Sequence, residues 1–302
     1  MNQPLPYEDE SLTGYILRLS IANYYPSLKY IYDELSVFQN KRIFSYYLDT
    51  LMLDDCDLAK LSALAGSSLD ILRNLMFCEV DKANQMYVYN KSVFSLTAIC
   101  TLKAKLCPLC LKENEYIRKI WGLVNVTACP YHKVMMVDQC QNCSKKILWT
   151  QSNIFMCSCG HSHKNSKVEI AGEACISISE YVYQECGLLS KNLSLPIDLI
   201  NLNTMNNVIL FFAKHIGDFK NLSQLSGINS LIKDFAILQK QVFDLFKAWP
   251  QGFYESWINK ERDNKIVNIK RLWAILESFI LKFLKIERTP IVLLGRNLLT
   301  IS

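Results

Sequence analysis

The sequence predicts a mainly α fold: a helical N-terminal head with a helix-turn-helix, two tandem structural zinc-binding modules with short β elements, and a helical C-terminal domain. Three observations predict it. Apolar residues recur at intervals of three and four in both outer parts of the chain, the spacing of helices that bury one face. Between those parts, seven of the twelve cysteines fall within residues 107–159. Half of the 302 residues are apolar, enough for a sizeable core. The divisions drawn from these shifts are 1–100, 101–170 and 171–302.

In the head, PLPYEDESLTGYILRLSIANYY makes Ser11 an N-cap and sets a helix over about Leu12–Tyr24. Ile16, Leu19 and Ala22 form its stripe, with Arg18 on the other side. Further on, DLAKLSALAGSSLDILRNLMF divides at Gly66. Leu58, Leu61 and Leu64 mark one helix; Leu69, Leu72 and Leu75 mark the next, capped by Ser67 or Ser68. Two short helices joined by a glycine turn suggest a helix-turn-helix. Its second helix turns Ser67, Ser68, Asp70, Arg73 and Asn74 outward, and Ser68, Arg73 and Asn74 are the candidate nucleic-acid contacts. Against DNA reading, that helix has a single Arg and no Lys, and residues 1–90 carry 7 Lys/Arg against 12 Asp/Glu. Phosphate contact needs cations, so packing or protein docking is the stronger reading of this pair.

The opening MNQPLPYEDE has neither a basic n-region nor an apolar h-region, and no apolar run approaches the ~20 residues of a membrane span. The expectation is a cytoplasmic protein away from membranes. In a reducing compartment, clustered cysteines indicate metal or catalysis rather than disulfides. The solitary Cys56, Cys78, Cys100, Cys175 and Cys186 are expected to be small buried apolar groups.

The clustered ligands are Cys107-x2-Cys110, Cys129-x2-His132, Cys140-x2-Cys143 and Cys157-x-Cys159. Taken in order they make two four-ligand sites of the kind Zn2+ prefers, each built from paired ligands on tight turns. CPLC and CPYH share a proline after the first ligand, which fixes the turn's φ. Gly160 follows where φ > 0 is needed. Cys159 is the preferred last ligand, because four thiolates close a structural site; His161 and His163 lie within reach as alternatives. Residues 91–170 carry 11 Lys/Arg against 4 Asp/Glu, but seven thiolates and two Zn2+ reduce that excess to about +4. This is modest for an autonomous DNA binder.

Both sites fill with four ligands, whereas catalytic zinc keeps an open position. His132 is followed by Lys133 and Val134, so the H-x-E of zinc deaminases is missing. HExxH, Walker A and G-x-S-x-G are missing too, and no enzyme is expected. In the tail, the candidate helices are Asn203–Phe219, Ile228–Trp249, Gly252–Asp263 and Lys265–Ile286, with breaks at Pro196 and Pro250.

The order of parts resembles the TniQ/TnsD family. The residues that carry the likeness are Pro4, Pro6, Tyr7, Glu10, Ser11, Leu12, Tyr15, Arg18 and Leu19 at the start. CPLC, Trp121, ACPYHK, CQNC and CSCG follow, and WPQGFYESW at 249–257 is similar to an element of TnsD-like members. The resemblance implies target selection for a DNA transposon, with the eight ligands above holding two structural zinc ions. It implies an adaptor that meets an RNA-guided CRISPR effector complex on one side and an AAA+ ATPase regulator on the other, with DNA in the assembled complex. A bridge of this kind often works in more than one copy, so a homo-oligomer is compatible with it. The alternative is a TnsD-like protein that reads an attachment site directly, or a helix-turn-helix transcription factor. The acidic residues Glu8, Asp9 and Glu10 are the candidate ATPase-docking residues, because an acidic head beside a basic middle offers complementary surfaces.

Overall fold

The structure is a computed structural model that describes residues 2–26, 28–35, 48–50, 53–190, 201–215 and 232–247. The tail helices expected at Gly252–Asp263 and Lys265–Ile286 lie outside the described residues.

Helix α1 (Leu12–Ala22) starts as the sequence requires: Ser11 is extended and its Oγ accepts from Gly14 N at 2.9 Å. Leu12, Tyr15, Ile16 and Leu19 are buried. The helix stops at Ala22, two residues earlier than expected, with Asn23 as its C-cap, and Tyr24 follows with φ 57°. Gly14 faces the strand-like segment at Ile117 so closely that an added Cβ would meet Ile117 Cβ at 2.8 Å. Gly14→Ala is therefore expected to cost about 1–3 kcal/mol, read as a lower urea midpoint at unchanged m.

A single turn, α2 (Lys29–Tyr32), precedes the helix pair α3 (Asp55–Ala65) and α4 (Leu69–Asn74). Asp54 caps α3, Gly66 closes it at φ 64°, and Ser68 caps α4. Leu58, Leu61, Leu72 and Leu75 point into the core. Ser67 does not face outward as expected; it is 5% exposed, and its carbonyl accepts from Ser62 Oγ at 2.6 Å.

The head is not wholly helical. Strands β1 (Cys78–Asp81), β2 (Met86–Tyr89) and β3 (Ser92–Ser95) form an antiparallel sheet in sequence order. Asp81 caps the first turn by accepting from Asn84 N, and Asn90 takes φ 52° in the second. Phe77, Tyr89 and Phe94 meet edge to face beneath the sheet.

The middle segment winds between these parts. Helix α5 (Pro108–Glu113) carries the first cysteine pair, and β4 (Ala128–Cys129) pairs with β5 (Val134–Met135) around the second. Lys105 is 3% exposed and its Nζ donates to the carbonyls of Leu123, Val124 and Val126, so an ammonium pins the loop that leads into β4. Trp121 donates to Tyr183 Oη at 3.2 Å, and Trp149 to the Cys100 carbonyl at 2.7 Å.

Three longer helices close the fold: α6 (Glu173–Glu185), α7 (Leu202–His215) and α8 (Ile232–Lys247). The last two match expected helices; α6 was not anticipated. Ser179 on α6 accepts from Thr127 N and Ala128 N, and Gln239 on α8 donates to the Asn125 carbonyl at 2.8 Å. One hydrophobic cluster runs from Leu12 through Cys107, Cys110 and Cys129 to Phe243. Of the solitary cysteines, Cys100, Cys175 and Cys186 are buried as expected, but Cys56 and Cys78 are exposed. Cys56 sits in the first turn of α3 and Cys78 on an edge strand, where neither is required by packing.

Candidate metal centre

The eight sequence-predicted ligands gather into two clusters, each with its ligand atoms within 4.8 Å of one another. In the first, Cys107 is the N-cap residue of α5 and Pro108 its first helical residue, so Cys110 follows one turn on. Cys129 ends β4, and the turn to Lys133 closes with Lys133 N on the Cys129 carbonyl at 2.8 Å, Lys133 taking φ 55°. This returns His132 towards the sulfurs. His132 Nδ1 stands 3.6 Å from Cys107 Sγ, 3.3 Å from Cys110 Sγ and 3.5 Å from Cys129 Sγ; Cys110 and Cys129 are 3.6 Å apart.

In the second cluster, Cys140 lies 3.6 Å from Cys159 and Cys143 lies 3.5 Å from Cys157, sulfur to sulfur. Its turns close on Ser144 at φ 58° and Gly160 at φ 84°. Cys159 is the fourth member. His161 instead places Nε2 3.1 Å from Ser166 Oγ, and His163 is 1% exposed and outside the cluster.

These separations fit a tetrahedral ion. Ligands at the ~2.3 Å of a Zn–S bond stand about 3.8 Å apart along each edge. The donors also suit a metal. The sulfurs of each cluster share protons through mutual hydrogen bonds: Cys129 lies well below the usual thiol range while Cys107, at about 11, and Cys110 lie above it, and Cys159 lies at about 6 while Cys143 lies at about 12. Thiolate is the form that ligates. With Nδ1 turned to the three sulfurs, His132 Nε2 lies 2.9 Å from Glu113 Oε1, the carboxylate that would accept its proton and orient the ring if Nδ1 ligated a metal. The sequence reading missed Glu113; its signal is a carboxylate one helical turn beyond Cys110.

The two clusters differ in depth. Cys107, Cys110 and Cys129 are at most 4% exposed and belong to the main hydrophobic cluster. In the second, Cys143 is half-buried and Cys159 exposed. A chromogenic chelator is expected to release metal in two phases. The fast phase comes from the second cluster with circular dichroism unchanged. The slow phase comes from the first, together with loss of tertiary signal.

The other candidate site residues have local duties. Arg73 is engaged by Asp55 and Asp70, Ser68 accepts from Ile71 N, and the Asn74 carbonyl accepts from Lys119. The candidate acidic docking face needs correction. Glu10 is fully buried and its Oε2 pairs with Arg18 at 2.7 Å, while Asp9 bonds Tyr116 Oη and Arg118. Tyr7 stacks on Tyr116 at 4.1 Å and Arg18 lies over the Tyr7 ring. Only Glu8 of the three is exposed, because the opening is a clamp that ties the N-terminal segment to α1 and to residues 116–118.

Fold and site define a mainly helical protein whose middle is built around two four-residue clusters that could hold metal ions. Residues 2–136, a little under half of the chain, match the family model TniQ, so this part is similar to a TniQ domain. Such a domain implies transposition-associated target selection in general. The match takes in the clamp and all four residues of the first cluster, and ends before the second. No curated protein matches the chain.

Proposed function

We propose that this protein is a target-selection adaptor in DNA transposition, linking an RNA-guided CRISPR effector complex to the AAA+ ATPase regulator that recruits the transposase. The TniQ match over residues 2–136 carries this reading. Zinc is the metal assigned to both clusters, on the thiolate-rich, four-coordinate ligand sets. The ions act as scaffold, and the protein performs no catalytic step. Its place is the cytoplasm, where thiols stay reduced; among the described residues no helix is long and apolar enough to cross a membrane.

The ion pairs of Arg73 favour this reading over a TnsD-like reader of an attachment site. With Arg73 held by two aspartates, the second helix of the pair offers duplex DNA no unpaired arginine. DNA then enters as part of the assembled complex, and more than one copy of the chain is compatible with a bridge.

The test is affinity purification of the tagged protein, with nuclease and moderate salt, from cells expressing the neighbouring genes. Recovery of an AAA+ ATPase with an RNA-guided effector is expected. Recovery of neither, with tight and steeply salt-dependent duplex binding by the protein alone, would move the assignment to the attachment-site reader.

A further inference from the structure

A cavity lies away from both metal clusters. It has a volume of about 580 Å3 and is bounded by Glu8 and Asp9 of the N-terminal segment, Asn74 and Met76 after α4, the sheet residues Cys78 and Tyr89, and Lys119. Two donors on its wall are not fully used. Tyr89 is 4% exposed and its hydroxyl has no hydrogen-bond partner among the described residues. Lys119 is 4% exposed; its Nζ donates to the carbonyls of Asn74 and Met76 and sits 4.0 Å from the centroid of the Tyr89 ring.

Both features are costly unless something answers them. A buried hydroxyl without an acceptor forfeits its hydration, and a buried ammonium normally faces a carboxylate. Burial pushes the Lys119 ammonium down to about 8 against the pull of Asp49 and Asp9, and no carboxylate among the described residues forms an ion pair with it. Beyond its two carbonyl acceptors the ammonium has only the faces of the Tyr89 and Phe77 rings, so its third N–H has no oxygen acceptor.

We propose that this cavity binds a carboxylate group, which accepts from Lys119 Nζ and Tyr89 Oη together. A single carboxylate suits the wall better than a dianion. Asp9 is already held by Tyr116 and Arg118, but Glu8 is exposed at the cavity and forms no ion pair among the described residues, so a second negative charge would meet it. The group can arrive as a free carboxylic acid or as an acidic side chain of a protein.

The experiment uses the full chain with its metal. Binding of 13C-acetate is followed by line broadening, and binding of a capped Gly-Gly-Glu-Gly-Gly peptide, which carries a single carboxylate, by calorimetry, each at constant ionic strength. The variants are Tyr89→Phe, which removes only the hydroxyl, and Lys119→Met. Saturable acetate binding that weakens roughly fivefold to tenfold in Tyr89→Phe, the loss of one hydrogen bond, supports the site for free carboxylates. Saturation by the single-glutamate peptide alone, with the same sensitivity, supports it for protein-borne ones. Saturation by neither probe, or binding unchanged in a folded Tyr89→Phe protein, overturns the proposal even where Lys119→Met fails to fold.

Discussion

Cys110→Ser is expected to abolish the folded state. Cys110 is 4% exposed, belongs to the main hydrophobic cluster, and its sulfur touches both Cys129 and His132. A structural Zn2+ contributes about 10–16 kcal/mol in small zinc domains, as much as the ~5–15 kcal/mol by which whole domains are stable. The rest of the core cannot replace that contribution, because the cluster organises the chain it packs against. Cys107 starts α5, and Cys129 ends a strand held by Ser179 of α6. The variant should lose one metal equivalent, its near-ultraviolet circular dichroism and its compact elution volume together. A compact, fully metal-loaded Cys110→Ser protein would show that Cys110 is not a ligand.

Arg18→Met is expected to cost about 3–5 kcal/mol, the usual result of removing one partner of a buried ion pair. Glu10 is fully buried, and Arg18 reaches it through two donors, at 2.9 and 2.7 Å, while also donating to the Leu5 carbonyl at 2.8 Å. Burial already pushes the Glu10 carboxyl above its ordinary range against the pull of Arg18. Without the guanidinium the carboxylate is left uncompensated. The urea midpoint should fall clearly in Arg18→Met and recover in large part in the double variant Arg18→Met/Glu10→Gln, which removes the stranded charge. A double variant no more stable than the single would mean that packing of the arginine stem, not its charge, holds the clamp.

The contrast between these residues explains what could be read in advance. Metal ligands announce themselves, because tetrahedral coordination by paired residues on tight turns forces short, regular spacings. All eight, including Cys159 over His161 and His163, stand where the spacing places them. Caps are equally local, so Ser11 was legible, and Ser68 was one of two candidates with Ser67. The clamp was not. Asp9 meets Tyr116 and Arg118 across more than a hundred residues, and nothing in EDE distinguishes a buried carboxylate from an exposed one. The sheet at 78–95 escaped because its strands are four residues each, too short for alternation to stand out. Helix α6 has a glycine cap without a side-chain acceptor, and it buries Ser179 and Gln184 among its apolar residues, which blurs the stripe. Lys105 and Lys119 look like surface charges in sequence; only the fold shows their ammonium groups bonded to loop carbonyls.

Native mass spectrometry of the full chain, with elemental analysis of the same sample, tests most directly whether two metal ions hold this protein together. The proposed zinc assignment predicts two zinc equivalents per chain, and one in a folded Cys143→Ser variant, whose half-buried sulfur belongs to the outer cluster. A folded wild-type chain with no bound metal, or a single equivalent unaffected by Cys143→Ser, would contradict it.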